Sequence, residues 1–175
     1  MVIKDLAFAK FLNEAEILKR VRELAAQISK DYAGQSPLIL PVLNGSFMFA
    51  SDLIRKLTVE PRVSFVKHSS YTGGVSAGQL KTIIGLQESV FQQDILIVED
   101  IVDSGQTIAR VTDEISALGP NSVEVVSLLI KQKSAAQPKI PKYVGFEIPD
   151  QFVVGYGLDY QGLGRQLSDI YQATA

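Results

Sequence analysis

The residues with the most chemical potential lie between Ile95 and Thr107, in the order Ile-Leu-Ile-Val-Glu-Asp-Ile-Val-Asp-Ser-Gly-Gln-Thr. Ile95 to Val98 is a short apolar run rich in β-branched residues, the pattern of a strand buried on both faces. Its end carries two adjacent carboxylates, Glu99 and Asp100. A small polar loop, Ile101 to Gln106, follows with Asp103, Ser104 and Gly105. Ile108, Val111, Ile115 and Leu118 then recur at spacings of three and four, one face of a helix that Gly119 and Pro120 close. A helix start presents unpaired N–H groups and the positive end of a dipole, and so attracts phosphate. Gly105 lets a ligand approach the backbone, while Ser104 and Thr107 add hydroxyl donors. Glu99 and Asp100 repel phosphate. They suit sugar hydroxyls, or a Mg²⁺ ion bridging to a polyphosphate. Together these groups suggest the binding of a phosphorylated sugar.

The elements that must position this loop alternate between buried strands and helices. Ile17, Val21, Leu24, Ala25 and Ile28 share one face of a helix expected over 14–32. Leu38 to Leu43 reads as a strand, made awkward by Pro41, which lacks a ladder donor. A turn at Asn44-Gly45-Ser46 leads into a helix expected from Phe47 to Leu57, a second anion-friendly strand–turn–helix unit. Val63 to Val66 is a further strand. The glycine-rich stretch Thr72 to Gly78 reads as a loop, and Leu80 to Leu86 as a strand or hairpin arm. Val123 to Ile130 is the next buried strand and delivers Lys131 to the same carboxyl edge as Asp103. Lys133 to Pro141 reads as a surface loop, and Tyr143 to Phe146 as an edge strand. In sheets of this kind ligands bind at the carboxyl ends of the strands.

Composition sets the outer bounds. A chain of 175 residues, 46% hydrophobic and 21% charged, fits one globular domain. A net charge of −2 without a basic stripe speaks against nucleic acid or an anionic membrane as partner. With no cysteine there is no disulfide, thiolate metal site or thiol nucleophile. The first residues lack the pattern of a secretion signal, and no run approaches the roughly 20 apolar residues of a membrane span. A cytoplasmic protein is expected. The single histidine, His68, is read as structural or lid-adjacent rather than catalytic.

Val98 to Thr107 resembles the phosphoribosyl-pyrophosphate (PRPP) motif of type I phosphoribosyltransferases and, through Glu99-Asp100, most resembles the hypoxanthine-guanine branch. Four further blocks match in order: Leu43-Asn-Gly-Ser46, Ser70-Tyr71, Leu129-Ile-Lys131, and the region from Val144 through Tyr160. The resemblance implies an α/β, Rossmann-like fold in a single domain, with a mostly parallel central sheet flanked by helices. Its core would span roughly 37–140, with a small hood from the N-terminal segment and 143–175. It implies Mg²⁺-dependent purine salvage: the phosphoribosyl group passes from PRPP to N9 of hypoxanthine or guanine, with xanthine as a further candidate, giving IMP or GMP and pyrophosphate. By the same resemblance Asp103 to Thr107, including Gln106, hold the 5′-phosphate, and Glu99 and Asp100 serve ribose and metal. Leu43, Asn44, Gly45 and Arg165 hold pyrophosphate, the loop at Asn44 carrying a non-proline cis peptide. Ser70 and Tyr71 begin a lid. The purine would lie between Ile101 and Phe152, read by Lys131 at its 6-oxo group and by the backbone of Val153. Asp159 would join the second Mg²⁺ site, and Asp103 would be the general base. A homodimer or homotetramer is implied as well.

Two other readings start from the same residues. One is a nucleotide-sensing, RNA-binding regulator of the same fold, which the acidic balance disfavours. The other is a phosphoacceptor domain, which needs neither the glycine loop nor the lid. One departure from the resembled pattern carries a prediction. Asn44 stands where many relatives have a lysine or arginine, so Asn44→Lys is expected to tighten pyrophosphate about tenfold, the weight of one charge-assisted hydrogen bond. Calorimetric titration with magnesium pyrophosphate measures this, and an unchanged affinity would remove the idea.

Overall fold

The structure is a computed structural model that describes residues 1–67, 88–134 and 141–174. Two short strands, β1 (Val2–Ile3) and β2 (Leu6–Leu12), precede helix α1 (Glu14–Asp31). Asn13 starts α1 with a capping box: its side chain accepts from the Glu16 N–H, and the Glu16 carboxylate accepts from the Asn13 N–H. Then come β3 (Leu38–Leu43), α2 (Phe47–Ile54), β4 (Arg62–Val63) and β5 (Val66–Lys67). The order continues with β6 (Asp94–Val102), α3 (Gln106–Ser116) and β7 (Ser122–Lys131), followed by a 3₁₀ turn (Gln132–Ser134). It closes with β8 (Tyr143–Ile148), β9 (Val153–Val154) and β10 (Ile170–Ala173).

The large sheet runs β4-β3-β6-β7-β8, with β5 also on β3, and its pairings are parallel. Alternation along its strands divides the core. Ile39, Leu96, Val98, Val126 and Leu128 pack with α1 and α2, whereas Leu38, Leu40, Ile95, Ile97 and Ile130 pack with Ile108, Val111 and Ile115 of α3. Both faces are covered, which is why the strand sequences are continuously apolar. The small sheet, β1-β2-β10-β9, is antiparallel. Phe8, Ile3 and Val154 form its own cluster, and Val153 and Ile170 join it to the main core. Tyr143–Ile148 pairs with β7 in the large sheet, so the small sheet draws on residues from Val153 onward rather than from 143. Among the described residues no helix is long and apolar enough to cross a membrane.

Several local expectations shift. Strand β6 does not end at Val98. It continues through Glu99 and Asp100 to Val102 because β7 pairs with it to Ile130. Helix α2 stops at Ile54, and Lys56 and Leu57 then donate to Leu53 and Ile54, three residues back, in a tighter turn. Leu118 is 51% exposed, beyond the end of α3, and so does not extend its apolar face. The strand expected over Val63–Val66 is two pieces. β4 pairs with Leu38 and Ile39, β5 with Val42 and Leu43, and the gap between them lies beside Leu40 and Pro41. On the other side β3 stays in register through Pro41 opposite Val98. The irregularity expected of the proline is carried by the neighbouring strand. His68, Ser70, Tyr71, Thr72 to Gly78 and Leu80 to Leu86 lie outside the described residues, as does most of the Lys133–Pro141 loop.

Candidate active site

The carboxyl ends of β3, β6 and β7 meet the segment from Gln151 to Arg165 around a cavity of about 210 Å³. It is lined by Gly45, Asp100, Ile101, Asp103, Lys131, Phe152, Val153, Asp159 and Arg165, together with Gln151 and Leu158, which the sequence did not single out. A smaller cavity of about 70 Å³ adjoins it, lined by Glu99, Ser104, Gly105 and Thr107, and sharing Ile101 and Asp103 with the larger one. Nine of the expected site residues, with roles toward purine, ribose, metal, pyrophosphate or proton transfer, thus surround one space, and the phosphate loop surrounds its neighbour.

The loop is shaped for an anion. Gly105 adopts φ +74°, a left-handed conformation that side chains disfavour, and α3 begins directly after it. The Gln106 N–H donates weakly to the Ser104 Oγ at 3.4 Å. Gln106 itself lines neither cavity. Leu43 and Asn44 also line neither. They join β3 to α2 through a cis peptide, with Asn44 exposed.

The acidic pair divides. Successive residues of a strand point to opposite faces, so Glu99 looks toward the phosphate loop and Asp100 toward the larger cavity. Glu99 is buried and its Oε2 has no hydrogen-bond partner among the described residues. Burial pushes its carboxyl well above the usual range, and the Asp100 charge adds to this. Asp100 is pushed up to about 6, first by burial, and its neighbour Asp159 adds to the rise. The N–H groups of Ile101 and of Asp100 itself, with the Arg165 charge, act the other way. Asp100 also crowds residue 45: a Cβ on Gly45 would lie 1.6 Å from the Asp100 Oδ2, so any larger residue would displace that carboxylate. Across the same loop Gly157 approaches so closely that its Cβ would sit 2.1 Å from the Gly45 carbonyl oxygen.

Arg165 ties the far wall together. It donates to the Gly157 carbonyl at 2.7 Å and pairs with Asp159 at 2.5 Å. The other Asp159 oxygen accepts from the Gly162 N–H at 2.7 Å. At the opposite wall four charges form a ring. Lys131 lies 3.1 Å from Asp103 and 3.2 Å from Asp150, and Lys133 lies 3.0 Å and 2.8 Å from the same two carboxylates. Partial burial would raise Asp103, but the hydrogen bonds from Lys133 and Lys131 outweigh it and leave its carboxyl below the ordinary value. Asp150 is lowered by the same two lysines, Lys133 foremost. Lys133 and Asp150 were missed as site residues. Asp150 lies inside the Val144–Tyr160 region already noted, whereas Lys133 sits in a polar stretch that gives no sign of facing inward. Phe152 is 44% exposed at the cavity mouth, its ring 5.5 Å from Tyr160 edge-on and 6.3 Å from Phe8.

The family model for the phosphoribosyl transferase domain matches residues 9–161. The chain belongs to the phosphoribosyltransferase family. It is 42% identical over 157 residues to a hypoxanthine-guanine phosphoribosyltransferase of Staphylococcus aureus, covering 89% of this chain and 88% of that one. A hypoxanthine phosphoribosyltransferase structure from the same species superposes with a TM-score of 0.89 at 40% identity, over 97% of this chain and 92% of that one. A variant Trypanosoma cruzi hypoxanthine phosphoribosyltransferase, solved with its product IMP, superposes with a TM-score of 0.87 at 34% identity, over 99% and 93% of the two chains. The type I fold and the enzyme class expected from the motifs are those of these relatives.

Phosphoribosyltransferases of this class imply Mg²⁺, and the donors present suit it in one particular way. Among the described residues no three carboxylate or histidine side chains gather into a metal cluster. Glu99, Asp100 and Asp159 therefore do not form one cage. Mg²⁺ characteristically takes one or two carboxylates and completes its shell with substrate phosphate and water. Asp100, half-buried and facing the cavity, and Asp159, its neighbour, fit that pattern. Asp159 already uses both oxygens within the protein, which suits contact through water.

The buried acids of this phosphoribosyltransferase make stability depend on pH. Asp100 is raised in the folded state, so its penalty is absent below the unfolded value near 4, grows as pH rises through about 6, and is complete above it. Asp100→Asn is therefore expected to stabilise the ligand-free protein at pH 7 by about 1–3 kcal/mol. That gain should shrink to nothing near pH 4. Urea unfolding across this range measures it, and a gain independent of pH would refute the assignment.

Proposed function

We propose that this phosphoribosyltransferase transfers the 5-phosphoribosyl group of PRPP to N9 of hypoxanthine and guanine in purine salvage, with xanthine as a further candidate. The observation that carries the reading is the pairing of Lys131 with Asp103 at the junction of the two cavities. A donor and an acceptor stand side by side where a base would meet a phosphorylated sugar. The names of the relatives support the substrate class.

In this reading the 5′-phosphate occupies the loop from Asp103 to Thr107, facing the first N–H groups of α3. Glu99 and Asp100 reach the ribose hydroxyls from two sides of β6. The base lies between Ile101 and Phe152, an aromatic contact worth roughly 1 kcal/mol. Lys131 donates to the 6-oxo oxygen, and the Val153 backbone meets the remaining polar edge. Adenine is disfavoured because its 6-amino group is itself a donor. Mg²⁺, when bound with PRPP, supplies charge neutralisation of the departing pyrophosphate.

The N9 lone pair forms a bond to C1′ while the bond from C1′ to pyrophosphate breaks, its electron pair leaving with the pyrophosphate oxygen. The N7 proton passes to Asp103, which is ionised at neutral pH because its two lysines keep it so. The N–H groups at Asn44 and Gly45 and the Arg165 guanidinium receive the leaving charge. Ser70 and Tyr71 are the proposed lid, closing over a cation-like ribosyl centre to exclude water. The reading includes a cytoplasmic location and a homodimer or homotetramer.

Incubation with PRPP and Mg²⁺, offering hypoxanthine, guanine, xanthine, adenine and uracil separately, tests this by absorbance. Turnover of 6-oxopurines alone is expected. Conversion of adenine or uracil would overturn the role of Lys131. PRPP binding without turnover of any base would move the weight to a nucleotide-sensing regulator. Asp103→Asn should lower kcat by about 10²–10⁴-fold if it is the general base. A change of less than a few-fold would remove it from that role.

A further inference from the structure

Lys131 and Asp103 are the two side chains on which the proposed transfer turns, and both belong to a larger arrangement that the transfer does not require. Lys133 in the 3₁₀ turn and Asp150 after β8 complete a ring with them. The contacts are distributed unevenly. Asp103 is bridged, its Oδ2 3.1 Å from Lys131 and its Oδ1 3.0 Å from Lys133. Asp150 uses Oδ1 for both lysines, at 3.2 Å to Lys131 and 2.8 Å to Lys133. An ammonium has three donors. Lys131 therefore keeps one for a ligand while the other two hold it between the carboxylates.

We propose that Lys133 is a positioning residue for purine transfer: with Asp150 it holds Asp103 and Lys131 side by side at the cavity edge, each with capacity left for the base. This rests on the transferase reading given above. The charges carry the argument. With Lys133 the ring holds two cations and two anions. Without it, two carboxylates share one ammonium, Asp103 loses the partner of its Oδ1, and Asp150 loses its shortest contact. Lys131 then carries both carboxylates by itself, and the geometry that Lys133 imposes on the Asp103 Oδ1 is lost. Glu99 and Asp100, on the strand that ends just before Asp103, are both anionic when ionised. The first turn of α3, Gln106 to Ala109, carries no charge.

The exposure pattern separates this role from a structural one. The Lys131 side chain is 10% exposed, whereas Lys133, Asp103 and Asp150 are each about half exposed. Ion pairs at that exposure add little to stability, so changing Lys133 should leave the fold intact and move only the inner pair.

The test compares Lys133→Met and Lys133→Arg with the wild type in steady-state kinetics. In K133M, kcat/KM for hypoxanthine should fall roughly 10- to 100-fold, the scale of a misplaced catalytic group. The KM for PRPP should stay within about twofold. K133R should recover most of the loss. The acidic limb of the pH profile should move upward in K133M by up to about one unit, because Asp103 has lost a neighbouring cation. A K133M enzyme indistinguishable from wild type, or one impaired only toward PRPP, overturns the proposal. A second readout needs no turnover: the ¹³C carboxyl resonance of Asp103, identified by its loss in Asp103→Asn, should titrate higher in K133M. If that shift is present while the wild type transfers to no purine, the transferase reading fails and the charge ring stands. If the wild type is active and the shift is absent, the ring is not holding Asp103 and the inference fails.

Discussion

The site depends on one arrangement: a strand buried on both faces by a parallel sheet carries two carboxylates beyond its apolar run. The pairing of β6 with β7 continues past Val98 to Val102, so Glu99 and Asp100 are held as strand residues. Alternation then dictates that they diverge, one to each cavity. Glu99 is buried there, Asp100 faces the cavity, and desolvation opposes the ionisation of both. Neighbouring backbone adapts to Asp100. Gly45 has no side chain where the Asp100 carboxylate lies, and Gly157 approaches the Gly45 carbonyl from the other side.

The site divides electrostatically into two zones. On the β6 strand burial pushes carboxylates up, leaving groups suited to a ligand that brings hydroxyls or a cation. At the rim two lysines push the Asp103 and Asp150 carboxyls down and keep them ionised. Three carboxylates within five residues, Glu99, Asp100 and Asp103, thus acquire opposite tendencies from their surroundings alone. The same contrast would let one short segment bind a sugar with its strand and accept a proton with its loop.

The small antiparallel sheet helps close the site. Tyr156 donates to Asp52 on α2 at 2.6 Å, and Arg165 holds the Gly157 carbonyl. The segment that bears Phe152, Val153 and Asp159 is thereby docked against the loop between β3 and α2. The wall assigned to the base and the loop assigned to pyrophosphate share contacts, so displacing one displaces the other. Phe152 remains half-exposed at the mouth with Phe8 and Tyr160 around its edge, a position from which its face can meet a planar ligand.

The buried strands Leu38–Leu43, Ile95–Val98 and Val123–Ile130, the amphipathic helix from residue 14 and the glycine turn at Gly105 were all legible in the chain. Each is dictated locally, by an apolar run, a 3.6-residue period or a backbone conformation that favours glycine. The order of the motif blocks was enough to indicate the family. What the chain could not express is set by pairing across distance. The short strands at Val2–Leu12 and Ile170–Ala173 are weak alone and exist because they hydrogen-bond to each other. The break opposite Pro41 appears in β4 and β5, whose own residues do not announce it. Lys133 reads as one more surface charge until the 3₁₀ turn brings it beside Asp103 and Asp150. Adjacent acids in a sequence look like a pair. Whether they face one ligand or two depends on how far the neighbouring strand continues, and only the assembled sheet decides that.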